Sequence, residues 1–230
     1  MKFSIRTLLF LTLVISIAFT GLTKRDRSTK TAKNLIKSLN GTFWFDKEKL
    51  RGFTWDIAPR IALQPSKIAS QDSLREKMLN YFFGEDRTKV IRAIKIQPND
   101  TNVSKVKTLL SQSIGLAGVE IVTITGPADG ALLARHLYPI DQLQNIRFLR
   151  IGNAQLDRNF FLALSKVEDL EFVDLVNCNY EIEDLEPLSE SIHLAWVKLG
   201  RTDFEKPRLQ QVRSKVPATY LTPLVKFAED

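Results

Sequence analysis

Between Ile91 and Leu199 one apolar pattern returns five times. It reads Ile-Arg-Ala-Ile-Lys-Ile from Ile91, Val-Glu-Ile-Val-Thr-Ile from Val119, Ile-Arg-Phe-Leu-Arg-Ile from Ile146, Leu-Glu-Phe-Val-Asp-Leu from Leu170 and Leu-Ala-Trp-Val-Lys-Leu from Leu194. The starts lie 28, 27, 24 and 24 residues apart. Branched aliphatic residues hold the first, fourth and sixth places of every copy. Side chains alternate along a strand, so places four and six share a face, and each copy predicts a short strand with one buried side. Between the copies the apolar residues fall at helical spacing. Val103, Val106, Leu109 and Leu110 form the first such face, and Leu132, Leu133 and Leu137 the second. Phe160, Phe161 and Leu164 follow, then Ile182, Leu185 and Leu188, and finally Leu209 and Val212.

A strand plus a return in each unit, at a period in the twenties, is the signature of a leucine-rich repeat. The expected fold class is therefore α/β: a solenoid of short parallel strands and helical returns. The ninth place turns the chain inward and favours a side chain that satisfies backbone groups of the neighbouring loops. Here it is Asn99, Pro127, Ala154, Cys178 and Thr202, a mixed column that predicts some irregularity. Solenoid ends need caps. Ser28 to Leu39 predicts a helix with Ala32, Leu35, Ile36 and Leu39 on one face, ended by Asn40-Gly41. A strand over Thr42 to Phe45 follows. Residues 50–69 carry no clean period, and Leu74, Met78, Leu79 and Phe82 outline a second cap helix. Tyr220-Leu221 falls where a sixth strand or a C-terminal cap is due. The expected boundaries are 1–23 for a membrane helix, 24–89 for a basic juxtamembrane segment and α+β cap, 90–204 for the repeats, and 205–230 for the last return and C-terminal cap.

The membrane helix is read from residues 7–23, which are uncharged between Arg6 and Lys24. As a helix those 17 residues span roughly 26 Å, just enough for a bilayer core. A signal peptide competes, but no small-x-small cleavage site follows the run, so an uncleaved single-pass anchor is expected. Lys and Arg are denser after the run than before it, which points to a cytoplasmic body, whereas the signal-like start points to export. Charge follows the same division. Of 33 basic and 26 acidic residues, eight and one fall within residues 1–37, leaving 25 of each in the remainder. A neutral body lacks the field that draws in phosphate backbones, so nucleic acid is not an expected partner. Lys24, Arg25 and Arg27 would instead meet anionic lipid if they lie on the cytoplasmic side.

The basic start and apolar run lead into Ala32-Lys33-Asn34-Leu35-Ile36-Lys37-Ser38-Leu39-Asn40-Gly41 and a Phe45-Asp46 strand. A helix ending Phe82-Phe83-Gly84 and Leu-x-x-Leu-x-Leu repeats come next. Together these resemble bacterial membrane-anchored leucine-rich repeat proteins. Repeats of that kind close the strand with Thr, an apolar residue and Asp; Thr202 keeps the first and Gln155-Leu156-Asp157 the rest. The resemblance implies recognition of a protein partner and supplies no catalytic residues.

Nothing in the chain points to catalysis, a cofactor or a metal. His136 and His193 are 57 residues apart, and the lone Cys178 sits in the inward-turning column, where a buried structural thiol is expected. The informative chemistry lies on the face opposite the core, the concave face of such a solenoid. Place three contributes Ala93, Ile121, Phe148, Phe172 and Trp196, and place five Lys95, Thr123, Arg150, Asp174 and Lys198. Aromatic residues beside charged ones are the material of interface hot spots. The expected partner-binding residues are therefore Phe148, Arg150, Phe172, Asp174, Trp196 and Lys198, exposed as a ladder toward an unknown protein ligand. The alternative is a structural or self-associating envelope protein whose ladder packs on itself or under the N-terminal segment.

Overall fold

In the computed structural model of the chain, residues 5–45, 90–128, 132–199 and 220–223 are described. Every apolar repeat becomes a strand. β2 (Ala93–Ile96), β3 (Ile121–Thr125), β5 (Phe148–Gly152), β7 (Phe172–Val176) and β8 (Trp196–Leu199) run parallel in that order. The sheet gains β1 (Thr42–Trp44), antiparallel to β2, at one edge and β9 (Tyr220–Pro223), parallel to β8, at the other. Beside it, β4 (Leu132–Leu133) and β6 (Ala154–Gln155) pair in parallel as a second, two-stranded sheet. The strand expected over Thr42 to Phe45 and the sixth strand at Tyr220 are thus both present. The pairing joins like places: Ala93 to Ile121, Ile121 to Phe148, Phe148 to Phe172 and Phe172 to Trp196. The fold is mixed α/β with a mostly parallel sheet.

The core lies on the side that the pattern assigns. Places one, four and six of all five repeats are buried, from Ile91, Ile94 and Ile96 to Leu194, Val197 and Leu199. Against them pack the return residues Val106, Leu109, Leu110, Leu137, Phe160, Phe161, Leu164, Ile182, Leu185 and Leu188. Two returns are α-helical, α2 (Lys105–Leu110) and α3 (Arg158–Ser165). The other two are 3-10 turns rather than the expected α-helices. Residues Ala134–His136 and Tyr138–Gln142 form one, with Pro139 in the second of these segments and so inside the return, and Ile182–Glu190 forms the other, with Pro187 inside it. Proline removes a backbone donor and clashes with the preceding turn, which breaks an α-helical ladder. The expected stripes are kept, although Leu133 is only half-buried. The helical faces of Leu209, Val212, Leu74, Met78, Leu79 and Phe82 lie outside the described residues.

The N-terminal segment differs from expectation. A membrane helix followed by a separate short helix was the reading of the sequence, but α1 is one helix, Ile5–Ser38, of 34 residues. Residues 23–38 contain no glycine or proline, so nothing interrupts the helical ladder between the apolar run and the cap. Among the described residues, no helix is long and apolar enough to cross a membrane. The cap end of α1 is anchored as its pattern predicts: Ala32, Ile36 and Leu39 are fully buried and Leu35 is partly so. Asn40 ends the helix in the left-handed region at φ 52°, and the Gly41 N–H donates to the Ile36 carbonyl at 2.9 Å. A Cβ on Gly41 would come within 2.7 Å of Ile96 Cγ2, so the close approach of this turn to β2 requires glycine.

The segment Gln155-Leu156-Asp157 acquires a physical role here. Asp157 caps α3, its Oδ1 accepting the Phe160 N–H at 2.9 Å, while its Oδ2 accepts the Tyr138 hydroxyl at 2.7 Å. One carboxylate therefore ties two successive returns together. Asp157→Ala is expected to lower stability by about 1–2 kcal/mol, measured by urea unfolding. A loss no greater than the effect of Tyr138→Phe would show that the cap contributes nothing.

Candidate interaction face and its charge rows

Place three points away from the helical returns in every strand, and the register carries its row beyond the repeats. Trp44 pairs with Ala93 at one end and Trp196 with Tyr220 at the other. Ala93 and Ile121 form a small apolar cluster of their own, flanked by Trp44 and Phe148. Phe148 and Phe172 follow with ring centroids 6.2 Å apart, tilted by 38°. The alignment of Phe148, Phe172 and Trp196 is as the spacing predicts. Their exposure is not. Phe148 and Trp196 are half-buried, and Phe172 is only 7 % exposed.

The same holds for place five. Arg150, Asp174 and Lys198 are neighbours in register. Asp174 lies between two cations, with Arg150 Nε at 3.6 Å and Lys198 Nζ at 3.9 Å from its Oδ2. Asp174 is 2 % exposed and Lys198 8 %, with Arg150 half-exposed beside them, so two of the three charges are buried and the row is not an open charged stripe. Asp174 Oδ1 and Thr123 Oγ1 are buried with no hydrogen-bond partner among the described residues. Burial raises the Asp174 pKa above the ordinary 3.8, and the nearby Lys198 and Arg150 pull it down by less. Such a group is costly to ionise, so its ion pairs are no measure of stability.

A further charge row lies at place two. Arg92 donates to Glu120 at 3.1 Å, and Arg147 forms a fork on Glu171, Nε to Oε1 at 2.7 Å and Nη2 to Oε2 at 3.0 Å. The alternation Arg, Glu, Arg, Glu is printed in the repeat itself, immediately after the first aliphatic residue. It is invisible to a reading that sorts residues only into core and outward faces.

The inward-turning column behaves as a structural device. Cys178 Sγ donates to the Ile151 carbonyl of the preceding repeat at 3.5 Å and to Val176 at 3.6 Å. Burial pushes its pKa from 9.0 to about 11. A thiol so raised is a poor nucleophile. At the eighth place Asn153 and Asn177 adopt φ 53° and 52°, the left-handed region that Asn tolerates. Asn153 Nδ2 also donates to the Gly126 carbonyl at 3.1 Å. Asn99, at the ninth place, exchanges bonds with Asn102, whose amide donates to the Ser38 carbonyl of α1 at 2.7 Å. Thr202 lies outside the described residues. His136 closes a 3-10 turn, its Nδ1 accepting the Leu133 N–H at 3.3 Å, whereas His193 is exposed on a loop. Among the described residues no group of three His, Cys, Asp or Glu is placed to hold a metal.

No known family matches the sequence, and no curated protein matches it. Among solved structures the chain is similar to internalin C2 of Listeria monocytogenes at 16 % identity and a TM-score of 0.33. The likeness covers 56 % of this chain and 59 % of that one, so the chain spans less than two thirds of the internalin. At that level it carries no argument about function.

Two outcomes follow from the buried groups. A thiol reagent at pH 8 should label Cys178 about a hundredfold more slowly in the native protein than in urea. Equal rates would place the thiol in solvent. For Asp174 the native state holds its proton more tightly than the unfolded chain, so ionisation opposes folding as pH rises through the carboxylate range. The stability of Asp174→Asn relative to the parent should therefore improve between about pH 3 and pH 6, read from urea unfolding at each pH. A trend in the opposite sense would show that the Arg150 and Lys198 pairs outweigh burial.

Proposed function

We infer that the chain is a leucine-rich repeat interaction module that binds a protein through the sheet face opposite its helical returns. The observation that supports this reading is the alignment on one face, in unbroken register, of an aromatic row and a charged row. Phe148, Arg150 and Trp196 are the half-exposed members and would make the contact. Phe172, Asp174 and Lys198, buried between them, would fix their spacing. Aromatic rings and an arginine beside a desolvated charge are the composition of an interface centre. The reading includes no catalytic step.

A photo-crosslinking amino acid placed at position 150 should capture a distinct partner in the native cell. The same group at Leu162, exposed on α3 at 42 %, should not. Capture should also fall at least tenfold, about 1.4 kcal/mol, when Trp196→Ala is added. Equal capture from both positions would overturn the reading. The burial of Phe172 and Asp174 within the chain itself favours a second reading, a structural protein whose face is already closed. Sedimentation of the full chain in detergent separates the two: a self-associated species cross-linked only to itself through position 150 supports the second.

The proposal includes a membrane tether formed by the first half of α1. It rests on the sequence, in which residues 7–23 are uncharged and the basic Lys24, Arg25 and Arg27 follow. The full chain should then sediment with membranes and resist carbonate extraction. Release by carbonate would remove the tether from the proposal.

A further inference from the structure

At the N-terminal ends of β7 and β8 lies a cavity of about 540 Å³, lined among the described residues by Asp169, Glu171, His193, Ala195 and Trp196. Its position is explained by the charge row at place two. That row pairs Arg92 with Glu120 and Arg147 with Glu171, so the alternation calls for a third basic residue at position 195. Ala195 stands there instead. Its N–H donates to the Glu171 carbonyl at 2.9 Å, and that of Trp196 to the same oxygen at 3.1 Å, so the backbone continues the row while the side chain stops at a methyl group.

The chemistry left around the gap is specific. Glu171 is engaged by Arg147 on one side, and a carboxylate has lone pairs for more than two donors. Asp169 has no ion-pair partner among the described residues and is exposed at the rim. Two carboxylates thus stand at the opening against the one Arg147, with His193 also in the lining. Trp196, half-buried, supplies an aromatic wall. A planar cation that donates forked hydrogen bonds to carboxylates and stacks on an indole is a guanidinium group. An ammonium matches the charge but neither the fork nor the stacking.

We propose that this cavity is a binding site for a guanidinium group, free or as an arginine side chain of another protein, seated where the place-two row lacks its own arginine. The inference does not rest on the outward face binding a protein, since the site is tested with small probes alone.

The test is titration calorimetry of the full chain with N-acetyl-arginine methylamide, agmatine and N-acetyl-lysine methylamide. Both guanidinium probes should bind, and the lysine probe should bind at least about tenfold more weakly. Tighter binding of the amide-flanked probe identifies a protein side chain as the source, and equal binding identifies a free guanidine. Asp169→Asn should weaken the arginine probe several-fold. Ala195→Arg should abolish its binding while raising the urea midpoint, because the new side chain would complete the ion row. The raised midpoint keeps a misfolded variant from counting as support. Absence of binding to the parent, equal affinity for the lysine probe, or binding unchanged by Ala195→Arg would each overturn the proposal.

Discussion

The structure depends on a single backbone relation repeated from unit to unit. The N–H of place three donates to the carbonyl of place two in the preceding repeat. The pairs are Ile121 to Arg92, Phe148 to Glu120, Phe172 to Arg147 and Trp196 to Glu171, all between 2.9 and 3.2 Å. A parallel strand pair needs a crossover to bring the chain back to the same end, and the returns supply it. With the register fixed, every column of the repeat becomes a physical row about 4.8 Å per step. A slip of one residue would turn the entire aliphatic set outward.

The rows then differ in what they do. The aliphatic rows face the returns and drive collapse, with Phe160 and Phe161 fully buried among the largest core side chains, their ring centroids 5.2 Å apart. The eighth and ninth places turn the chain, using Asn153 and Asn177 for their tolerance of positive φ and Cys178 for a weak bond to the repeat before. The rows at places two and five hold charge, the first partly solvated and the second buried at Asp174 and Lys198. The outward rows therefore sit on elements whose positions are already set by the core, which is the order that the proposed binding face would need.

Much of this was legible because a periodic sequence writes its registers openly. The strands, their parallel order, the buried places and the capping strand at Thr42 all follow from counting. The 3-10 character of two returns was also within reach, since Pro139 and Pro187 stand in the sequence, but apolar spacing alone does not separate three residues per turn from 3.6. Burial of Phe172, Asp174 and Lys198 was not legible. Alternation tells which side of a sheet a residue takes, and it does not tell what lies over that side. The row Arg92, Glu120, Arg147, Glu171 was missed for a different reason: its meaning arises only when residues more than twenty positions apart are placed side by side.

The charge alternation at place two also sets the grain size of the molecule. Repeats are often treated as interchangeable beads, to be added or removed one at a time. Here, excising the unit that begins at Val119 would bring Arg92 beside Arg147, and excising the one that begins at Ile146 would bring Glu120 beside Glu171. Removing both of those units would bring Arg92 beside Glu171 and restore an opposite-sign neighbour. Over its first four repeats the charge row thus has a doubled period near fifty residues, and a change of length that keeps opposite signs adjacent there proceeds by pairs.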